Sequence, residues 1–355
     1  MRLRPRPGAR TTLAALLLPV LLTTAGLALA GPAGAAEDVR TEDARVPSGT
    51  GGDAVELDTT LYLPVGSGPA PAVVLAHGFG GSKDSVADDA RDLAGRGYVV
   101  LTYSARGFGS SSGQIGLNDP RHEIADLATL IDLLAERDEV QLDGDGDPTV
   151  GVAGGSYGGG VALLGAAYDE RIDAIAPQIT WNSLTEALFP SQSGSPQAPT
   201  VAATPQTDDT GVYKRLWSGL FFGVGSAPAG GLLDAFGGGG EGSGGEASRG
   251  NATELSEVDL STLDPAAVQQ ALTCGRFTVE VCAAYQTAAA TGTLTPEIAA
   301  VLDRGSPAGV LDRIEAPTLL VQGTQDSLFG LGQADANARG IAANGTPVKV
   351  VWFAG

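Results

Sequence analysis

The sequence predicts an α/β protein: a mostly parallel central sheet with helices on both faces and an inserted helical cap. Three observations predict it. Short, dense apolar runs alternate with helical segments over residues 50–180, as expected of strands buried on both faces. The alternation stops after Thr180 and resumes at Pro317. Between them, residues 181–314 carry Ser/Pro/Gln stretches, weak helical segments and twelve glycines between Gly223 and Gly250. The expected organisation is therefore a core from residues 50–180 and 315–355, with a cap at 181–314 that contains a glycine-rich loop, 223–250.

In chain order, Val55 to Leu63 reads as a first strand, and Ala72 to Ala76 as a second that ends in His77-Gly78-Phe79-Gly80-Gly81. A helix over Ser85 to Arg96 stops at Gly97, and Tyr98 to Tyr103 is the next strand. His122 to Arg137 places Ile124, Leu127, Leu130, Ile131 and Leu134 on one helical face. Thr149 to Ala153 is a short strand, followed by a turn at Gly154–Gly160 and a helix through Tyr168. Ile172 to Ile179, Thr318 to Gln322 and Val348 to Trp352 complete the strands, with a helix over Leu331 to Ala343.

The N-terminus is expected to be a secretory signal over residues 1–30. Arg2, Arg4, Arg6 and Arg10 precede an apolar run that closes in small residues, with Ala28-Leu29-Ala30 as the cleavage site and Ala33-Gly34-Ala35 as an alternative. No cysteine follows the run to carry a lipid, and no later segment is apolar enough for stable membrane insertion. The mature protein is expected outside the cell, secreted or wall-associated. Cys274 and Cys282, eight apart, suit a short disulfide in that compartment, two buried thiols being the alternative.

Composition narrows the chemistry. The chain has 355 residues, 41 acidic against 21 basic, and a net charge of -20. Phosphate binding needs a concentrated positive field, so nucleic acid is not an expected partner. Two histidines and two cysteines leave little for a metal site. Asp143, Asp145 and Asp147 alternate as in a calcium loop, but Pro148 stands where that loop needs glycine. The glycines around Gly107 and Gly109 lack the helix and G-K-[ST] run of a nucleotide loop. No cofactor is expected, and no feature specifies an oligomeric state.

Gly154-Gly155-Ser156-Tyr157-Gly158 fits G-x-S-x-G between a strand and a helix. Such a turn projects its serine above the sheet, with the helix N-terminus favouring developing negative charge. Ser156 is the expected nucleophile. The oxyanion donors are expected to be the amides of Tyr157 and of Phe79, with Gly80 as the alternative. Asp326, just past the Thr318 to Gln322 strand, is the expected acid, a turn-capping aspartate being the alternative. In the order Ser, Asp, His, a base should follow Asp326, yet both histidines precede Ser156. His77 is expected to brace its loop, and His122 to sit at a helix start.

These motifs resemble the α/β-hydrolase fold, and within it the X-Pro dipeptidyl-peptidase (S15) and cocaine-esterase-like group. The likeness covers about residues 50 to 180 and 310 to 355. It is carried by His77-Gly78-Phe79-Gly80-Gly81, by Tyr103-Ser104-Ala105-Arg106-Gly107-Phe108-Gly109-Ser110-Ser111-Ser112-Gly113, by Gly155-Ser156-Tyr157-Gly158-Gly159 and by Gly323-Thr324-Gln325-Asp326-Ser327-Leu328-Phe329. Ser104 stands where the group's D-x-R-G-x-G-x-S-x-G run has its aspartate, which implies a changed local ion pair. Trp352-Phe353-Ala354-Gly355 looks like the start of the turn that carries the group's histidine. The resemblance thus implies a C-terminally truncated chain, with the base beyond Gly355.

The expected function is a secreted serine hydrolase acting through an acyl-enzyme on a small ester or amide, or on a short X-Pro peptide. The alternative is a non-catalytic binding or cell-wall-associated protein on the same fold. An X-Pro substrate would need an amine anchor, for which the cap offers Glu186, Asp208, Asp209, Glu241 and Glu246.

Overall fold

Apolar runs with no polar face leave little choice but burial on both sides, and the central strands obey. In the computed structural model, which describes residues 39–66, 68–190, 211–226 and 273–355, β3 (Ala72–Ala76) and β4 (Val99–Tyr103) lie inside an eight-stranded sheet. The expected signal at 1–30 and the cap carboxylates Asp208, Asp209, Glu241 and Glu246 lie outside the described residues.

The remaining strands of that sheet are β1 (Arg40–Ser48), β2 (Val55–Leu63), β7 (Val150–Gly155), β8 (Ile172–Gln178), β9 (Thr318–Gly323) and β10 (Val348–Phe353). Their order is β1-β2-β4-β3-β7-β8-β9-β10. β1 and β2 pair antiparallel, as do β2 and β4; every other pairing is parallel. The short strands β5 (Leu142–Gly144) and β6 (Asp147–Pro148) form a separate hairpin around the alternating aspartates. This is the α/β-hydrolase fold.

β1 has no counterpart in the sequence reading. Its run RTEDARVPS is mostly exposed, so no apolar alternation marks it, and nine residues of register with β2 hold it as an edge.

Alternation along β3 divides the core in two. Val74 joins the main cluster, with Leu101, Leu127 and Leu163, while Leu75 joins a smaller one with Tyr62, Val100, Ala90 and Ala94. Ala90 and Ala94 come from α1 (Ala87–Gly95), which covers that second face. On the first face lie α2 (Glu123–Ala135), with the predicted stripe Ile124, Leu127, Leu130, Ile131 and Leu134 buried, and α3 (Tyr157–Tyr168), buried from Tyr157 to Ala167.

Between β8 and β9 the chain forms α4 (Leu184–Leu188), α5 (Arg215–Ser226), α6 (Val279–Thr291) and α7 (Pro296–Arg304). Sequence-local caps start three of them. Ser183, Thr278 and Thr295 accept hydrogen bonds from the amides of Glu186, Val281 and Ile298, each supplying one of the acceptors a helix N-terminus lacks. Two glycines of the expected glycine-rich loop are helical instead. Gly223 and Gly225 belong to α5, where a Cβ on Gly225 would lie 2.3 Å from Phe277, so this glycine permits helix packing; residues 227–250 are outside the described region. α8 (Leu331–Ala343) then crosses to β10. The parallel strands β3, β7, β9 and β10 all deliver their C-termini to one edge, where sheets of this kind hold their ligands.

Candidate active site

A serine between a buried strand and a buried helix must turn sharply, and Ser156 does so in the left-handed region at φ 53°, ψ -115°. For a non-glycine residue this is a strained conformation. It persists because both sides of the turn are held. Ser156 N–H donates to Gln178 O of β8 at 2.9 Å, and its carbonyl accepts from Thr180 Oγ1 at 2.8 Å. The turn also runs against β3. A Cβ built on Gly158 would stand 2.1 Å from Ala76 O, and one on Gly154 2.5 Å from the same oxygen. The small residues of G-x-S-x-G are thus a steric requirement here. Ser156 Oγ opens onto a cleft, and no described residue hydrogen-bonds to it.

The loop after β3 comes close to this serine: a Cβ on Gly78 would lie 3.9 Å from Ser156 Cβ. Phe79 anchors the loop, its ring making edge contacts with Phe108 at 5.1 Å, Phe221 at 5.2 Å and Tyr157 at 5.6 Å. Among the described residues, neither the Phe79 nor the Tyr157 N–H has an acceptor, so both candidate oxyanion donors are unengaged.

His77 braces this loop from below. Its Nε2 accepts from Ala105 N–H at 2.9 Å, which puts the proton on Nδ1, and Nδ1 donates to Gly78 O at 2.7 Å. Burial pushes its pKa down to about 4, against a smaller opposing effect of the Gly78 bond. Both ring nitrogens are occupied by backbone, so His77 has none for a serine. His122 starts α2, with Nδ1 buried and unpartnered. It lies beside Arg106, Asp119 and Arg121 in a separate polar cavity that does not include Ser156.

Asp326 follows β9, two strands from the serine turn. Its Oδ1 accepts from the amides of Leu328 at 2.9 Å and Phe329 at 2.8 Å. The buried Gln322 holds Oδ2 through a longer 3.2 Å bond, while its Nε2 also donates to Phe329 O at 2.7 Å. Oδ2 is therefore the carboxylate oxygen with capacity to spare. Lys214, just before α5, ties the cap to this turn by donating to Ser327 O at 3.0 Å and Leu328 O at 3.2 Å. Beside it, Gln325 N–H donates to Gly355 O at 2.6 Å, so the end of β10 lies next to Asp326.

Two supports have no motif in the sequence. The Tyr157 hydroxyl accepts from Asn118 N–H at 3.1 Å and donates to Glu123 Oε1 at 3.0 Å, and Asn118 Nδ2 donates to Tyr157 O at 2.9 Å. Burial raises Glu123 to about 7, against the lowering effect of the Gly116 amide that also donates to it. Arg106, whose expected aspartate is replaced by Ser104, instead pairs with Asp126 of α2. Both bonds of this buried fork are 2.7 Å, and Ser48 Oγ donates to the same carboxylate at 2.6 Å. Cys274 and Cys282 are bonded, with Cα atoms 5.3 Å apart. Phe277 lies inside that small loop and lines the cleft. Among the described residues no helix is long and apolar enough to cross a membrane.

The chain is similar to several known proteins. A stretch of 127 residues is 32% identical to the quorum-quenching protein AidA of Acinetobacter baumannii, covering 35% of this chain and 40% of that protein. Another of 139 residues is 30% identical to the thiohydrolase aneE of Aspergillus aculeatus, covering 39% and 41%. A third of 123 residues is 31% identical to an uncharacterized 31.7 kDa protein of Escherichia coli, covering 34% and 41%. The match thus spans about two fifths of the length of these curated relatives. Among solved structures, the acylaminoacyl peptidase of Pyrococcus horikoshii superposes with a TM-score of 0.51 at 14% identity, over 89% of this chain and 37% of that one, a likeness of fold. The sequence profile of the X-Pro dipeptidyl-peptidase family (S15) matches residues 52–345. The chain belongs to the X-Pro dipeptidyl-peptidase (S15) family.

Proposed function

We propose that the protein is a secreted serine hydrolase that cleaves an ester or amide bond through an acyl-enzyme, a short ester and an X-Pro dipeptide being the alternative substrates. The observation that carries this reading is Ser156. It is held at positive φ between β7 and α3, and its hydroxyl faces a cleft. A protein gains nothing in stability from this strain, and such strain collects at reacting centres.

In this mechanism Ser156 Oγ attacks the substrate carbonyl and passes its proton to a histidine. The amides of Tyr157 and Phe79 receive the oxyanion. The tetrahedral intermediate collapses, the imidazolium protonates the departing alcohol or amine, and water then releases the acid by the same route. Asp326 orients the histidine through Oδ2. The base in this reading lies outside the 355 residues, because His77 is occupied by backbone on both sides and His122 belongs to another cavity. A histidine in a loop after β10 would enter beside Asp326, where Gly355 already meets Gln325. The N-terminal arginines and apolar run, together with the Cys274–Cys282 bond, support export.

The test is hydrolysis of a short-chain aryl ester and an X-Pro anilide by the full gene product, with and without Ser156→Ala. The variant is expected to lose about 10⁴-fold or more in kcat. Retention of most activity would sink the reading. Ester binding without turnover would favour the non-catalytic alternative.

A further inference from the structure

Backbone strain gathers around one point of the molecule. Among the described residues, four that are not glycine have positive φ: Leu117 at 63°, Asn118 at 61°, Ser156 at 53° and Ile179 at 39°. Asparagine adopts this region readily; leucine and the β-branched isoleucine do not. The four belong to three segments distant in sequence, and the first and last segments converge on Ser156 and Tyr157. Strain of this kind persists only where the surroundings over-determine it.

Each converging segment is held from outside and delivers one side chain to the serine turn. Ile179 N–H donates to Val321 O of β9 at 2.8 Å. The next residue, the buried Thr180, donates its hydroxyl to Ser156 O at 2.8 Å. Leu117 O abuts Gly305, where a Cβ would collide with it, and Asp119 accepts from Arg304 Nε of α7 at 2.9 Å. Between Leu117 and Asp119, the buried Asn118 donates Nδ2 to Tyr157 O at 2.9 Å and its N–H to the Tyr157 phenol at 3.1 Å. In a planar trans peptide the C=O and N–H point in opposite directions. Thr180, on the carbonyl of the Ser156–Tyr157 peptide, therefore aims the N–H of that peptide. Asn118 fixes the peptide that follows and the ring of the same tyrosine. Gly160 N–H also donates to Ser156 O, at 3.1 Å, as a helix start requires; the Thr180 bond is additional.

We propose that Asn118 and Thr180 are positioning residues that hold the Tyr157 N–H in the direction from which it receives the oxyanion. The proposal rests on Ser156 being the nucleophile and the Tyr157 N–H an oxyanion donor. Neither Asn118 nor Thr180 lines the cleft. A preorganised donor stabilises developing charge because it need not reorient during the reaction. Loss of an anchor should therefore appear in kcat and not in substrate binding.

The experiment uses the full gene product, a short-chain aryl ester and phenylboronic acid, whose boron bonds to the serine and sets an oxygen on the oxyanion donors. Thr180→Val removes the hydroxyl and keeps the branched shape, while Thr180→Ser keeps the hydroxyl. Asn118→Gly keeps the left-handed backbone and its N–H and removes Nδ2. Thr180→Val and Asn118→Gly should each lower kcat about 10- to 100-fold, with KM within about twofold, and weaken the boronic acid in parallel. Thr180→Ser should stay within about threefold of wild type. The double variant should lose less than the product of the single losses, because both anchors act on one amide. Wild-type kcat in both single variants, or losses confined to KM, would overturn the proposal. So would Thr180→Ser as slow as Thr180→Val, since packing and not the hydrogen bond would then set the loss. If only one of the two sites yields a folded variant, that site decides alone. Turnover abolished by Ser156→Ala beside wild-type kcat in both anchor variants would leave the nucleophile standing and fell only the positioning. Turnover that survived Ser156→Ala would instead remove the reading on which the positioning rests.

Discussion

The phenol of Tyr157 donates to Glu123 Oε1 at 3.0 Å, deep behind the turn that carries Ser156. Glu123 Oε2 is buried with no described partner. A carboxylate in this position is poorly solvated, and burial raises its pKa to about 7.

That shift has a definite sign. Glu123 binds its proton more tightly folded than unfolded, so its stabilising contribution is complete below the ordinary glutamate range and is lost as pH rises toward 7. His77 runs the other way. Burial lowers it to about 4, so its contribution is complete above the ordinary histidine range and is lost as pH falls toward 4. In the wild type the two slopes oppose each other. Subtracting the wild-type unfolding free energy from that of Glu123→Gln should give a difference that rises by about 3 kcal/mol across this window. Denaturant titrations at a series of pH values read it directly, and a flat difference would contradict the burial argument.

The turn around Ser156 should tolerate no Cβ at Gly158. Ala76 O would stand 2.1 Å away, and that atom belongs to the backbone of a central strand. Gly158→Ala is expected to cost about 3 kcal/mol. Gly309→Ala, with nothing within 4 Å of the new atom, should leave the melting temperature almost unchanged. Thermal melts of the pair separate steric exclusion at the turn from a general cost of replacing glycine.

Arg106 and Asp126 have side chains 5% and 1% exposed. Arg106→Met alone strands a buried carboxylate and should cost about 3–5 kcal/mol. Arg106→Met combined with Asp126→Leu should recover a large part of that loss, since it removes both charges. A double variant as unstable as the single one would mean that Ser48 and the packing around α2, not the ion pair, set the cost.

Asp326 and Lys214 should separate chemistry from positioning. Asp326→Asn is expected to lower kcat by about 10⁴-fold by orienting the wrong histidine tautomer. Lys214→Met leaves the carboxylate in place and removes two ties to its turn. Its effect on kcat should be smaller, up to about 10²-fold, with KM little changed. Equal losses for both variants would point to a structural collapse of the turn.

Much of this site was legible in the sequence because its parts are local. Ser156 and its flanking glycines need a turn within five residues, and Asp326 needs only the end of an apolar strand. What escaped is what the fold brings together over distance. Glu123 and Asn118 stand 34 and 39 residues from Tyr157, and nothing in their local sequence sets them apart from surface residues. Ser104 made the ion pair of Arg106 look lost, yet Asp126, 20 residues on, supplies it. β1 was missed for a different reason: an exposed antiparallel edge needs no apolar period.

The central claim is that Ser156 carries the acyl group, and trapping tests it most directly. The full gene product is treated with a fluorophosphonate and digested, and the modified peptide is located by mass spectrometry. The account predicts one phosphonyl adduct, on Ser156, that is absent from Ser156→Ala and suppressed in Asp326→Asn. An adduct on another residue, or labelling that persists in Ser156→Ala, would contradict it.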